Sequence, residues 1–241
     1  MRTIVLLGWL LVPLVGAAYH YGPGQEKMRL DDVAASLADA DAQAATGDFA
    51  GAAAGYDAAL GKIPADRLAD ARHARLERDK AWMNEGKLPE AAADLEALVD
   101  EVQDDPKADP ALLASTRGAL ANAQYYMTWL MKLEGMPRDE WEPAIESSRQ
   151  AFRLLGEQAD RAGDSAAAAR HREDLESAIR LARMEPGDLQ GLALPKQCQG
   201  CKSGNCKKPG NKPGKKPGTK PNEEKDSRKV GAGPPPDGSG S

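Results

Sequence analysis

An all-α fold of consecutive helical hairpins is expected from three features of this 241-residue chain. Alanine is abundant, aromatics make up only 5%, and no long β-branched run occurs. That composition favours close-packed helices over sheets. From Gln25 to Met184 the apolar residues recur at helical spacing. Finally, a glycine recurs where one such stretch ends and the next begins, as in Gly47-Asp48-Phe49, Gly86-Lys87-Leu88 and Gly163-Asp164-Ser165.

The elements follow in order. Gln25 to Ala45 carries Leu30, Val33, Leu37 and Ala40 on one helical face, and Gly47-Asp48 ends it. Phe49 to Leu60 is its partner, closed by Pro64. Ala65 to Asn84 makes a third helix, with Leu76, Ala81, Trp82 and Met83 apolar, and Gly86 ends it. Leu88 to Val102 follows, with Pro89 in the first turn, where its missing N–H costs nothing. Asp104 to Pro110 is a connector. Pro110 opens a helix to about Glu134 through Leu112, Leu113, Leu120, Tyr126, Trp129 and Leu130, and Gly135-Met136-Pro137 stops it. Asp139-Glu140-Trp141 opens the next, which runs to about Ala162 with Pro143 early and Ala144 and Ala151 at small-residue spacing. Asp164 is a good N-cap for a last helix, Ser165 to Met184, with Leu175, Ile179 and Leu181 apolar.

Two of these stretches share a template. Gly47-Asp48-Phe49 leads to Ala52, Tyr56, Ala59 and Pro64; Glu85-Gly86-Lys87-Leu88 leads to Ala91, Leu95 and Leu98. Each resembles the second half of a tetratricopeptide (TPR) repeat, a helix-turn-helix unit of about 34 residues. The resemblance spans residues 33 to 184 and implies a TPR-like solenoid of three to four hairpins over residues 25–184. It implies that Ala40, Ala52 and Ala59 sit where helices cross, with Phe49 and Tyr56 between them. Asp79 departs from the template, standing where a small residue is usual and loosening that crossing. The third pair fits only with an insertion around Leu133 to Arg138.

The two ends read differently. Arg2 precedes an apolar run from Thr3 to Ala18. A lone positive charge, an apolar stretch and small residues at its end describe a secretory signal, cleaved after Ala17 or Ala18. The run is short for a span, about 16 residues against about 20. An uncleaved membrane anchor at residues 1–18, extended by Tyr19 and Tyr21, and a buried helix stay open beside it. Either of the first two places the rest outside the cytoplasm, exported to the periplasm or anchored facing outward. Residues 185–241 read as a disordered tail rich in Cys, Lys, Pro and Gly, with Lys-Pro repeating at 208, 212, 216 and 220 and almost nothing apolar to bury. From Lys196 onward the tail carries +7, so that the net charge of -5 leaves -12 on the preceding residues. An acidic body argues against nucleic acid as a ligand. The basic tail is either a solubilising segment or an attachment to an anionic surface such as lipid headgroups.

Chemistry-bearing patterns are few. Cys198, Cys201 and Cys206 form a Cys-x-x-Cys-x4-Cys segment that can close a disulfide and leave a spare thiol for pairing between chains, or hold zinc or another metal if a fourth ligand joins. No phosphate loop, His-Glu-x-x-His or nucleophile elbow occurs, so no enzyme and no cofactor are expected. The TPR resemblance implies a protein partner bound by the first helices of the repeats. Lys80 and Asn84, one turn apart, are candidates there, although Leu37 and Asp41 at the corresponding face of the first repeat leave no full carboxylate clamp. On the long helix after Pro110, Arg117, Asn122 and Tyr125 are expected to project as ligand contacts, while Tyr126 and Trp129 share a core face. The order of signal, TPR-like body and Lys/Pro/Gly tail is similar to exported TPR proteins of bacterial aerotolerance-type operons, which implies a scaffold in the cell envelope, within or beside a membrane-associated complex. The rival readings are a thiol or metal protein acting through the three cysteines and a surface adaptor acting through its tail.

Overall fold

In a computed structural model, the structure describes residues 24–193 together with Trp9, Val12, Pro13 and Pro195. Most of the N-terminal run and the tail beyond Pro195, with its three cysteines, lie outside the described residues. Eight helices run between Gln25 and Gln190: α1 Gln25–Ala45, α2 Phe49–Leu60, α3 Leu68–Glu85, α4 Leu88–Asp104, α5 Pro110–Leu133, α6 Arg138–Ala162, α7 Ser165–Arg183 and α8 Pro186–Gln190. Among the described residues there is no strand. The chain divides into two compact units, Met1–Arg75 and Leu76–Ser241, with the division inside α3.

In the first unit α1 and α2 form an antiparallel hairpin. Gly47 turns it with φ 85°, a region that costs an L-residue roughly 1–2 kcal/mol. Asp48 caps α2, its carboxylate accepting from Gly51 N–H at 3.0 Å. The expected crossing residues Ala40, Ala52 and Ala59 are all fully buried, and Tyr56 is buried beside them while Phe49 is half-buried. The backbones approach closely because Gly55 faces Ala40: a Cβ on Gly55 would lie 2.9 Å from the Ala40 Cβ. Tyr56 Oη donates to Asp41 Oδ1 at 2.5 Å across the same pair.

The second unit is built around α5. It packs against α4, α6 and α8, and α6 packs in turn against α7. Gly86, Gly135 and Gly163, all at positive φ, turn the chain after α3, α5 and α6. Asp109 caps α5 by accepting from Ala111 N–H at 2.9 Å, with Pro110 in the first turn, and Asp164 caps α7 by accepting from Ala167 N–H at 2.8 Å. One core joins Leu88, Leu95, Leu98, Trp129, Ile145, Phe152 and Leu181. Each such side chain stabilises the fold by roughly 1.5–3 kcal/mol through apolar burial.

Ala144 and Ala151 are half-buried on α6, Ala151 against the core. Between them on the same stripe Ser148 is fully buried, and its hydroxyl donates to the Ala121 carbonyl of α5 at 2.9 Å. A buried hydroxyl with an acceptor is nearly as compact as a methyl group, so serine serves at this contact. One expectation is corrected. Ordered structure continues past Met184 into the stretch read as tail. A capping box between Glu185 and Asp188 starts α8, and Leu189, 1% exposed, fixes it against α5. Helices α5 and α6, at 24 and 25 residues, are also long against the 21 and 12 of the first hairpin.

Candidate partner-binding site

The sequence-derived candidates fall into separate places. Lys80 and Asn84 do share one face of α3, half-buried and one turn apart. Lys80 Nζ donates to Glu77 Oε1 at 2.7 Å, and Asn84 Nδ2 donates to the Lys80 carbonyl at 2.8 Å. The lysine head thus has one of its partners on its own helix. Arg117 reaches back to α4, donating to Gln103 Oε1 at 2.5 Å, so it ties neighbouring helices at the surface. Asn122 is half-buried, and five residues from Arg117 it stands about 140° around the helix, on a different face. Tyr125 does not project outward. It is 5% exposed and packs edge-to-face on Tyr126, with ring centres 5.3 Å apart, and tilted on Trp129 at 6.3 Å. Three rings thus fill the core where two were expected, because α5 is covered on three sides and buries a wide arc.

Asp79 does not loosen its crossing but fills it with charge. It is fully buried, its Oδ1 accepting from Arg78 Nε at 3.1 Å and from Arg78 Nη2 at 3.0 Å. The same guanidinium donates to Asp94 Oδ2 on α4 at 2.5 Å and lies 4.1 Å over the Trp82 ring. One arginine therefore serves two carboxyls. Burial, then the Asp94 charge, pushes the Asp79 carboxyl up to about 8 against the pull of Arg78. At neutral pH it is mostly protonated, and Asp79 Oδ2, which accepts from no donor among the described residues, is the natural seat of that proton, directed toward the Asp94 carboxylate.

A second concentration of chemistry lies at the far end of α5. Lys132 is 4% exposed, with Nζ 3.2 Å from the Ala182 carbonyl and 3.9 Å above the Trp141 ring centre. Burial lowers its pKa from the ordinary lysine value. One clue to it was present in the sequence: Lys132 is the only charged residue between Arg117 and Glu134. The first unit has a larger cleft, about 700 Å³, lined by charged surface residues including Glu26, Arg29 and Asp66. Among the described residues no group of three or more His, Cys, Asp or Glu is placed to hold a metal ion, and no helix is long and apolar enough to cross a membrane. No family model matches the chain, and no curated protein matches it by sequence.

Proposed function

We propose that this chain is a non-catalytic, TPR-like helical scaffold that binds a protein partner in the cell envelope. One observation supports the repeat reading above others: hairpin after hairpin turns on a left-handed glycine and closes on small residues, Gly55 against Ala40 and Ser148 against Ala121. Stacked hairpins of this kind present preformed side-chain surfaces without internal chemistry. The face carrying Lys80 and Asn84 is the leading contact surface, with Arg117 and Asn122 as secondary points. Tyr125 is withdrawn from that role by its burial. The acidic body favours a protein over a nucleic acid. Export or membrane attachment rests on the N-terminal run, whose described residues Trp9 and Val12 are apolar and exposed. A partner within a membrane-associated complex fits that placement.

Crosslinking capture from native envelope tests the reading with four forms of the protein: wild type, Lys80→Ala/Asn84→Ala, Glu173→Ala/Glu176→Ala on the exposed side of α7, and a form lacking residues 196–241. A protein captured by the wild type, the α7 variant and the tail-deleted form should be lost by about tenfold in the α3 variant, the effect of roughly 1.4 kcal/mol. Equal capture by all four would refute the α3 surface. Loss on tail deletion alone would transfer the function to the cysteines or the basic tail.

A further inference from the structure

The end of α5, the start of α6 and the α7–α8 junction enclose a cleft of about 280 Å³. Its walls are mixed: Met136, Trp141, Met184 and Pro186 give apolar surface, Arg138 and Glu185 stand on it as charged groups, and Lys132 lies on it. A buried ammonium ordinarily has a carboxylate beside it, because desolvation without a counter-ion is costly. Lys132 has none within 4 Å among the described residues. One N–H goes to the Ala182 carbonyl, one of the last carbonyls of α7, which have no partner within their own helix. Its charge also rests against the Trp141 ring. Two ionic groups act on it through space without a direct bond: the Glu185 carboxylate, which raises its pKa, and Arg138, which lowers it and is itself paired with Glu142. The ammonium therefore keeps donor capacity beside open space.

We infer that this cleft is a binding site for a small organic monocarboxylate, with the carboxylate on the Lys132 ammonium and the apolar body against Trp141, Met136 and Met184. The volume, about nine waters' worth at ~30 Å³ each, admits a body the size of benzoate or hexanoate. A single buried cation suits one negative charge better than a phosphate dianion, and the Met and Trp walls reward a hydrocarbon. The inference does not rest on the partner-binding reading, since it concerns a different surface and a free ligand.

Calorimetric titration of the full chain tests it, with benzoate and hexanoate against benzyl alcohol and hexan-1-ol, which keep the body and drop the charge, and against inorganic phosphate, which keeps the charge and drops the body. A further arm is a short peptide with a free C-terminal carboxylate. Benzoate or hexanoate should bind at one site with a Kd near or below about 1 mM. Lys132→Gln should weaken this at least tenfold, and Trp141 emission should respond to the ligand in wild type and not in Trp141→Phe. If Lys132→Gln fails to fold, Met184→Trp, which fills the cleft from its rim, decides: binding lost with an unchanged melting curve supports the site, and binding retained overturns it. Equal binding of the alcohols, binding of phosphate alone, binding of the peptide alone, or no saturation by about 20 mM would each overturn it. In the last case Lys132 serves only as a cap on α7.

Discussion

Replacing Asp79 by asparagine should make the protein less sensitive to pH and more stable in alkali. Asp79 is fully buried beside Arg78 and Asp94, and its carboxyl is pushed from about 3.8 up to about 8. The unfolded chain releases this proton near pH 4, while the folded chain keeps it to about pH 8. Between those values the native state holds the extra proton, so stability is greatest at the acid end of the window and falls as pH rises. The slope from this one group approaches 1.4 kcal/mol per pH unit, about 3–6 °C of Tm in a chain of this size. Asp79→Asn removes that slope, because an amide does not titrate. The amide oxygen still accepts from Arg78, and the amide N–H supplies the donor that the proton supplied. Urea unfolding followed by circular dichroism, at unit steps from pH 5 to pH 9, compares the two proteins. The curves should converge near pH 5, with the variant ahead by about 2 kcal/mol or more at pH 9. Parallel curves, or a variant weaker throughout, would refute the assignment of a protonated Asp79.

Further outcomes follow from packing. Gly55→Ala and Gly118→Ala make the same change in two helices but should differ in outcome. Both gain about 1 kcal/mol of helix propensity. The first drives a Cβ to 2.9 Å from Ala40 and incurs overpacking of about 1–3 kcal/mol. The second meets only Leu155 Cδ1 at 3.7 Å, so thermal melting should show Gly118→Ala stabilised and Gly55→Ala unchanged or destabilised. Leu189→Ala removes the one buried anchor of α8 and should cost about 2 kcal/mol or slightly more. Hydrogen exchange should then show the α8 amides losing protection while α6 and α7 keep theirs. Uniform loss across the second unit would mean that α8 is integral to the core.

Much of the helix layout was legible because its punctuation is local. Gly47, Gly86 and Gly163 mark turns whose backbone needs φ > 0, and Asp164 marks a cap, so a few adjacent residues carry the signal. The sites were less legible because they are made at a distance. Lys132 meets Ala182 across 50 residues. Asp79 was visible as a departure from the repeat pattern, but its Asp94 neighbour depends on how α3 meets α4. Tyr125 was misplaced because adjacent aromatics on one helix normally face apart, and only the crowding of α5 by three neighbours buries both. Helix α8 was assigned to the tail because it is only five residues long, with Pro186 and Gly187 in its first turn, and its hold on the core comes from one leucine.

At Gly47, Gly135 and Gly163 an added Cβ would meet nothing within 4 Å, yet each has φ between 72° and 85°. Space does not select glycine at these turns; chirality does. A D-amino acid is at home in that region of backbone space, the mirror of the one L-residues prefer. Chemical synthesis with D-Ala at the three turns would therefore keep these three helix-to-helix junctions in place and narrow the freedom of the unfolded chain. The same three positions in L-Ala would strain each hinge. The hairpins are thus held by a lock of handedness, one that mirror-image chemistry can open or tighten without touching a single packed side chain.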